Sequence, residues 1–251
     1  MGKKVCMIEN RVIGGTCVNV GCVPKKVMFN LANFLEEAHA MKGYGVSGAE
    51  GLTLDFAAFK AKRDGYVKRL NGIYERNVAN AEIRYVPGTA SFVSDKVVKV
   101  GEELFTAEHI MIASGSMPEA GGFTGMEHCM NSDDFFEMEE LPDKMVVIGG
   151  GYIGIELAQI LAAFGVKITL VVRSIMLRFC DRDIIDVLME NMTKLGIDFK
   201  LDAPHESVTK NEDGTLKVNL KSGESIDCNK CLVALGRPPN VEPLQLQNTG
   251  V

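Results

Sequence analysis

The stretch KMVVIGGGYIGIELAQILAAFGVKITLVV, residues 144–172, constrains the fold more than any other part of the chain. A short apolar run reaches a glycine cluster, a helical apolar pattern follows, and after Gly165 a second apolar run begins. That order predicts strand, turn, helix and strand, with the strands parallel. Gly149-Gly150-Gly151-Tyr152-Ile153-Gly154 fits G-x-G-x-x-G. In this context Gly149 allows a tight turn, Gly151 lets backbone approach a pyrophosphate, and Gly154 lets the helix lie close to the sheet. A pyrophosphate would lie on the amide-rich start of helix 152–164. The plainer reading is an ordinary strand-to-helix turn. RDIIDVLMENMTKLG continues the pattern as a helix, with strand candidates in IDFKLD, KVNL and ESIDCNKCLVALG and turns at NEDGT and KSGES. The fold class is α/β.

The first half reads differently. KKVCMIE is a short strand, residues 25–40 form a helix, and residues 55–81 a long helix with Phe56, Phe59, Val67, Leu70 and Ile73 inward. IRYVPGTASFV, KVVKV and AEHIMIASG follow as strands, while Met28, Phe29 and Phe34 are core and His205, after a proline, sits in a surface turn. The Gly/Pro-rich stretch Ser116–Gly125 is a linker. The expected domains are therefore 1–115, 116–240 and the beginning of a further segment at 241–251.

GGTCVNVGCVPKK, residues 14–26, holds Cys17 and Cys22. In an unbroken helix such positions would be about 8–9 Å apart on different faces, beyond the roughly 4.4–6.8 Å that a bridge tolerates. Gly21 and Pro24 supply a means of distortion. A redox pair, buried free thiols and a metal site all remain open, although no His or further Cys stands nearby to complete a metal set. The seven cysteines, an odd count in a long chain, do not describe a secreted disulfide scaffold; most read as buried small hydrophobes, Cys228 and Cys231 included.

A formal charge of -6 and no dense basic stripe argue against a nucleic-acid partner. The apolar runs are interrupted well short of a membrane span, and MGKKVCMIENRV carries no apolar leader, so a cytoplasmic protein is expected. After LVV, Arg173 stands where an NAD site places a carboxylate, with Arg178 close behind. A cation there suits a 2′-phosphate and favours NADPH; a solvated basic turn is the alternative.

GGTCVNVGCVPKK, KRDGYVKRLNGIY, AEHIMIASGSMP, LPDKMVVIGGGYIGIELA and LVALGRPPN together resemble the pyridine nucleotide-disulfide oxidoreductases, in particular the glutathione reductase branch. The resemblance implies FAD/NAD(P)-binding Rossmann-like domains with parallel sheets, the FAD-binding one incomplete. It implies reduction of glutathione disulfide by NADPH through FAD and a Cys17–Cys22 disulfide. Cys22 matches the flavin-proximal cysteine and Cys17 the interchange thiol; Lys25 and Glu156 match a pair beside the flavin ring. Glu9 matches the residue on the FAD adenosine ribose, Gly14, Gly15 and Thr16 the turn at its pyrophosphate, and Ser114 and Gly115 the bend ending the flavin domain. Tyr152 matches an aromatic that shields the flavin, Tyr66 and Tyr74 tyrosines near the glutathione site, and Gly149, Gly151, Ile153, Gly154 and Gly236 the nucleotide contacts.

The family also has a first strand with its own G-x-G-x-x-G, a later Gly-Asp stretch and an interface domain with a His-Pro pair, none of which occurs here. The Arg173-to-Arg178 spacing is one residue short of the glutathione reductase pattern. By these departures a truncated, weakly active or inactive monomer is expected where the full-length family forms homodimers. A thioredoxin-reductase-like enzyme and a non-catalytic NADP-binding fragment are the alternatives.

Overall fold

The computed structural model describes residues 2–119 and 121–251, so Met1 and the linker residue Ala120 lie outside the described residues. By contacts the chain divides into two units, Met1–Val23 with Asp64–Met117 and Arg237–Val251, and Pro24–Arg63 with Pro118–Gly236.

The first unit begins with β1, Cys6–Glu9, and the short helix α1, Gly15–Val20. β2, Arg84–Pro87, pairs in parallel with β1, Cys6 facing Arg84 and Glu9 facing Pro87. β3, Ala90–Ser94, β4, Val97–Val100, and β5, Glu103–Thr106, form an antiparallel meander around buried Phe92, Val98 and Val100. The chain's final residues dock on this meander: the Asn248 amide donates to the Phe92 carbonyl at 2.8 Å, and the Gly250 N–H to Asp95 Oδ1 at 2.8 Å. AEHIMIASG, expected as a strand, is not one. Its backbone has no neighbouring strand to pair with among the described residues, and an apolar run without a ladder partner gains nothing from extending. Met111 is consequently 90% exposed.

The second unit takes α2, Cys22–Ala40, from its third residue onward, and the start of α3, Phe56–Asn80. α4, Ser132–Glu137, is closed by a capping box between Asn131 and Asp134. The parallel sheet consists of β6, Lys144–Ile148, β7, Lys167–Val171, β8, Asp198–Lys200, and β12, Lys230–Val233, in the order β12-β6-β7-β8. Helices α5, Tyr152–Ala163, and α6, Arg182–Lys194, are the crossovers that parallel pairing requires. β9, His205–Lys210, β10, Leu216–Leu220, and β11, Ser225–Cys228, make a small antiparallel sheet between β8 and β12 in sequence. Val146, Ile148 and Val171 from the parallel sheet, with Val208, Val218 and Leu220 from the antiparallel one, form one buried cluster. Both runs read as near-continuous apolar sequence because both faces of the parallel sheet are covered.

α3 holds its first turns to this unit through aromatic edges. Phe56 and Phe59 lie 6.5 and 6.0 Å from the Phe164 ring, which closes α5. Arg63, on α3, is only 2% exposed. Its guanidinium donates to the Phe136 carbonyl and contacts Met28 Sδ at 3.5 Å. A guanidinium can be buried here because its hydrogens meet acceptors.

Several expectations change. Phe34 is not core but 66% exposed, since it falls outside the buried face of α2 marked by Pro24, Met28 and Ala32. His205 is not in a surface turn: it opens β9, with its ring edge-on to Phe123 at 4.7 Å. Of the cysteines only Cys228 and Cys231 are buried, whereas Cys6, Cys17 and Cys22 are exposed. Met28 is fully buried as expected.

Leu161 is fully buried and Ile184 is exposed. Leu161→Ala should destabilise the second unit by about 2–5 kcal/mol, through lost transfer energy and a residual cavity. Ile184→Ala should change stability by less than about 0.5 kcal/mol. Urea unfolding of both variants checks the contrast.

Candidate functional site

The glycine cluster sits where the strand-helix reading puts it, between β6 and α5. Gly149 has φ +134°, and a Cβ there would lie 2.3 Å from the Ala234 carbonyl oxygen. Only glycine lets the turn pass so close beneath the end of β12. A Cβ on Gly154 would meet the Gly149 carbonyl oxygen at 2.8 Å, which sets how closely α5 lies on the sheet. At Gly151 an added Cβ would meet nothing within 4 Å. The same turn thus combines two positions of forced contact with one open one, at the N-terminal end of α5. It lies between β6 and β12, where the strand order reverses and α/β sheets bind ligands.

Tyr152, the first residue of α5, is 59% exposed. Ile153 follows it, while Glu156 accepts from Lys25 Nζ at 3.0 Å. Arg173 lies exposed two residues beyond β7. Arg178 is also exposed and donates through Nη2 to Ser174 Oγ at 2.9 Å. Burial, followed by the charges of Arg173 and Lys221, holds His205 below its ordinary range. Arg173 and Lys221 thus stand near His205, a grouping of which the sequence showed only the arginine. Gly236, with φ +154°, ends this unit, and its added Cβ would touch Glu119 Oε2 at 3.0 Å.

The first unit carries the cysteine pair. Cys17 lies in α1 and Cys22 opens α2, with Gly21 between the two helices. A Cβ at Gly21 would lie 2.8 Å from the Thr16 carbonyl oxygen and 3.4 Å from Cys17 Cα, so the break folds the chain back on the start of the motif. Both cysteines are free thiols and exposed. They are close enough to interact: Cys22, together with burial, raises the Cys17 thiol above its ordinary range. Asn19 and Asn71 brace the loop before them, each donating through Nδ2 to the Ile13 carbonyl, at 3.4 and 2.8 Å. These asparagines were not singled out from sequence, since only the fold-back makes their reach meaningful.

Glu9 ends β1 and accepts from the Arg11 N–H at 2.8 Å. Gly14 precedes α1, Gly15 and Thr16 begin it, and a Cβ on Gly15 would meet open space. Ser114 and Gly115 lie in the unpaired run after β5, where the Gly115 carbonyl accepts from the Asn240 N–H at 2.9 Å. Tyr66 and Tyr74 are exposed on α3 rather than buried in its stripe, and Arg69 stacks over the Tyr66 ring at 5.0 Å.

This arrangement is shared with known proteins. The chain matches the pyridine nucleotide-disulphide oxidoreductase family over residues 1–251 and belongs to it. Its α/β fold, with parallel and antiparallel sheets, is the Rossmann-like fold of that family's FAD-binding domain. It is 38% identical over its whole length to the glutathione reductase of Schizosaccharomyces pombe and 36% identical to that of Yarrowia lipolytica. It spans 56% and 57% of those two proteins. Among solved structures, the HOCl-induced flavoprotein disulfide reductase RclA from Escherichia coli superposes with a TM-score of 0.86 at 27% identity. The copper(II) complex of a cysteine-to-serine mutant of RclA gives 0.88 at 26% identity. Each covers all of this chain and is itself covered over 55% of its length.

Lys25 and Glu156 are both partly exposed, so their ion pair is worth about 0.5–1 kcal/mol. Glu156→Gln should lower stability by no more than this in dilute buffer. The difference should shrink in 0.5 M salt, where screening shortens to roughly 4 Å. Paired thermal melts at the two salt concentrations measure it.

Proposed function

We propose that this chain is part of an NADPH-dependent disulfide reductase acting on glutathione disulfide, with Cys17 and Cys22 as the redox pair. The observation carrying this reading is the helix break at Gly21. It folds the chain back on Cys17, so that two exposed thiols interact at positions an unbroken helix would separate. The identity of 36–38% to two glutathione reductases, against 26–27% to RclA, supports glutathione disulfide as the substrate.

The residues present fit a flavin dinucleotide. In the first unit Gly15 opens onto unobstructed space beside the Gly14–Thr16 turn and the Glu9 carboxylate ends a parallel strand. Glu9 would take the ribose and the turn the pyrophosphate. In the second unit Glu156 holds the Lys25 ammonium, a cation of the kind that suits the negative charge of a reduced flavin. FAD, when bound, passes the reducing equivalents of NADPH to the disulfide. In the second unit the Gly149–Gly154 turn would receive the NADPH pyrophosphate, Tyr152 would be the aromatic that shields the flavin, and Arg173 would take the 2′-phosphate, with Arg178 in support.

Exchange starts when Cys17 loses its proton. Its sulfur attacks one sulfur of glutathione disulfide, the S–S bond breaks, and one glutathione thiolate leaves. Cys22 then attacks Cys17 in the mixed disulfide, closing the Cys17–Cys22 bridge and releasing the second glutathione. Tyr66 and Tyr74 present exposed faces suited to the peptide. The raised Cys17 thiol makes deprotonation the slow demand on this sequence. An acid/base group is worth roughly 10²–10⁴ in such steps, so exchange by the chain alone is slow at neutral pH.

The test needs no flavin. Cys22→Ser incubated with glutathione disulfide should retain glutathione on Cys17, whereas the wild-type chain should release it and yield a linked Cys17–Cys22 peptide. Absence of the adduct at Cys17 overturns the role assignment. In the wild-type chain, iodoacetamide labelling of Cys17 should keep rising as pH passes 9.0, because its folded-state thiol ionises above that value. Titration with both nucleotides checks the arginine role. Arg173→Glu should weaken NADPH binding at least about tenfold while sparing NADH.

A further inference from the structure

The second unit contains a group of thiols that the redox pair does not use. After a short turn at Met126–His128, residues 129–131 run beside β12. Met130 pairs in parallel with Leu232; its N–H donates to the Cys231 carbonyl at 2.8 Å, and its carbonyl accepts from the Val233 N–H at 2.8 Å. This register sets Cys129 beside Cys231 on one face of the ladder. Neighbouring strands lie about 4.8 Å apart, inside the roughly 4.4–6.8 Å Cα window of a disulfide. Parallel Cβ vectors about 4.8 Å apart need to close by about 1 Å to reach the roughly 3.8 Å Cβ separation of a disulfide. That movement falls on an isolated bridge rather than on the continuous ladder of β12.

The two thiols are chemically unequal. Cys231 is fully buried and Cys129 half-buried, and both belong to the apolar cluster that also contains Cys228. Cys129 Sγ lies 3.8 Å from the Gly125 carbonyl oxygen. The neighbouring Cys231 lowers the Cys129 thiol below its ordinary range against opposition from burial and Glu127, while Cys129, then burial, raises the Cys231 thiol well above its own. Burial pushes Cys228 up to about 11. A half-buried sulfur on an isolated bridge therefore sits beside a fully buried one on the continuous ladder, the asymmetry of an attacking and a resolving thiol.

We propose that Cys129 and Cys231 are an oxidation site, in which Cys129 reacts with a hydroperoxide and Cys231 resolves the product as a disulfide. The Cys129 thiolate attacks one peroxide oxygen, the O–O bond breaks, and hydroxide leaves, making Cys129 a sulfenic acid. The Cys231 sulfur then attacks Cys129, the S–O bond breaks, and water departs with the Cys231 proton. The peroxide is reduced by two electrons as two thiols become one disulfide. The bond ties residues 129–131 to β12, whose next residue, Ala234, lies under the Gly149 turn.

The whole chain is treated with a few equivalents of hydrogen peroxide, quenched with N-ethylmaleimide and digested without reduction. A linked Cys129–Cys231 peptide is expected, with Cys228 alkylated only after denaturation. Dimedone present during oxidation should intercept Cys129 and reduce the linked product several-fold. Cys231→Ser should leave Cys129 as the dimedone adduct with no disulfide; if that variant does not fold, the wild-type map decides alone. Cys129 remaining unmodified at doses that oxidise Cys17, or a Cys228–Cys231 link in place of Cys129–Cys231, overturns the proposal.

Discussion

The backbone contact between the Gly149 turn and Ala234 is the constraint on which the second unit depends. β6 and β12 are separated in sequence by two crossovers and an antiparallel sheet, yet they must lie side by side for the ladder to close. At their carboxyl ends the turn passes so near the Ala234 carbonyl that any side chain at position 149 would collide with it. The Ala234 N–H donates to the Ile148 carbonyl at 2.8 Å, completing the fit. Given that contact, α5 settles on the sheet through Gly154, and its apolar face, including Ala158, Ile160 and Leu161, becomes fully buried. The open side at Gly151 is what remains, a gap left by the same packing that stabilises the fold.

Charges and thiols are distributed by how well they are solvated or paired. Lys60 is buried but reaches the exposed Glu139 at 3.2 Å, keeping its charge near water while its stem lies in the core. Arg63, deeper, relies on a carbonyl and a sulfur. The Lys25–Glu156 pair is partly exposed, which leaves the lysine head within reach of a neighbour. Sulfur follows the same logic: exposed Cys17 and Cys22 interact with each other, whereas burial alone is the leading influence at Cys228.

The parallel half of the fold was legible because its signals are local and consistent. Apolar strands, a glycine turn and apolar helices alternate in residues 144–200, and the turns at NEDGT and KSGES fall between observed strands. The long helices were equally readable from their periodicity. What misled was whatever depended on distant partners. AEHIMIASG has strand composition but, among the described residues, no strand to pair with; His205 follows a proline yet enters a sheet. At the site, glycine spacing and the cysteine pair could be found from sequence. The bracing asparagines, the Cys129–Cys231 register and the cations around His205 could not, because each needs residues brought together from separate segments.

β1 and β2 make a two-stranded parallel sheet whose strands are joined through both long helices. Such pairing closes a very large loop for few hydrogen bonds, so its contact order is high and its nucleation slow. The sheet edges β1 leaves open offer little cooperative support. Amide hydrogens in residues 6–9 should therefore exchange with solvent through local opening, well before those of β6, which is paired on both sides and buried. The strand carrying Glu9 then becomes rigid later than β6, and any ligand held there would gain part of its leverage by ordering it.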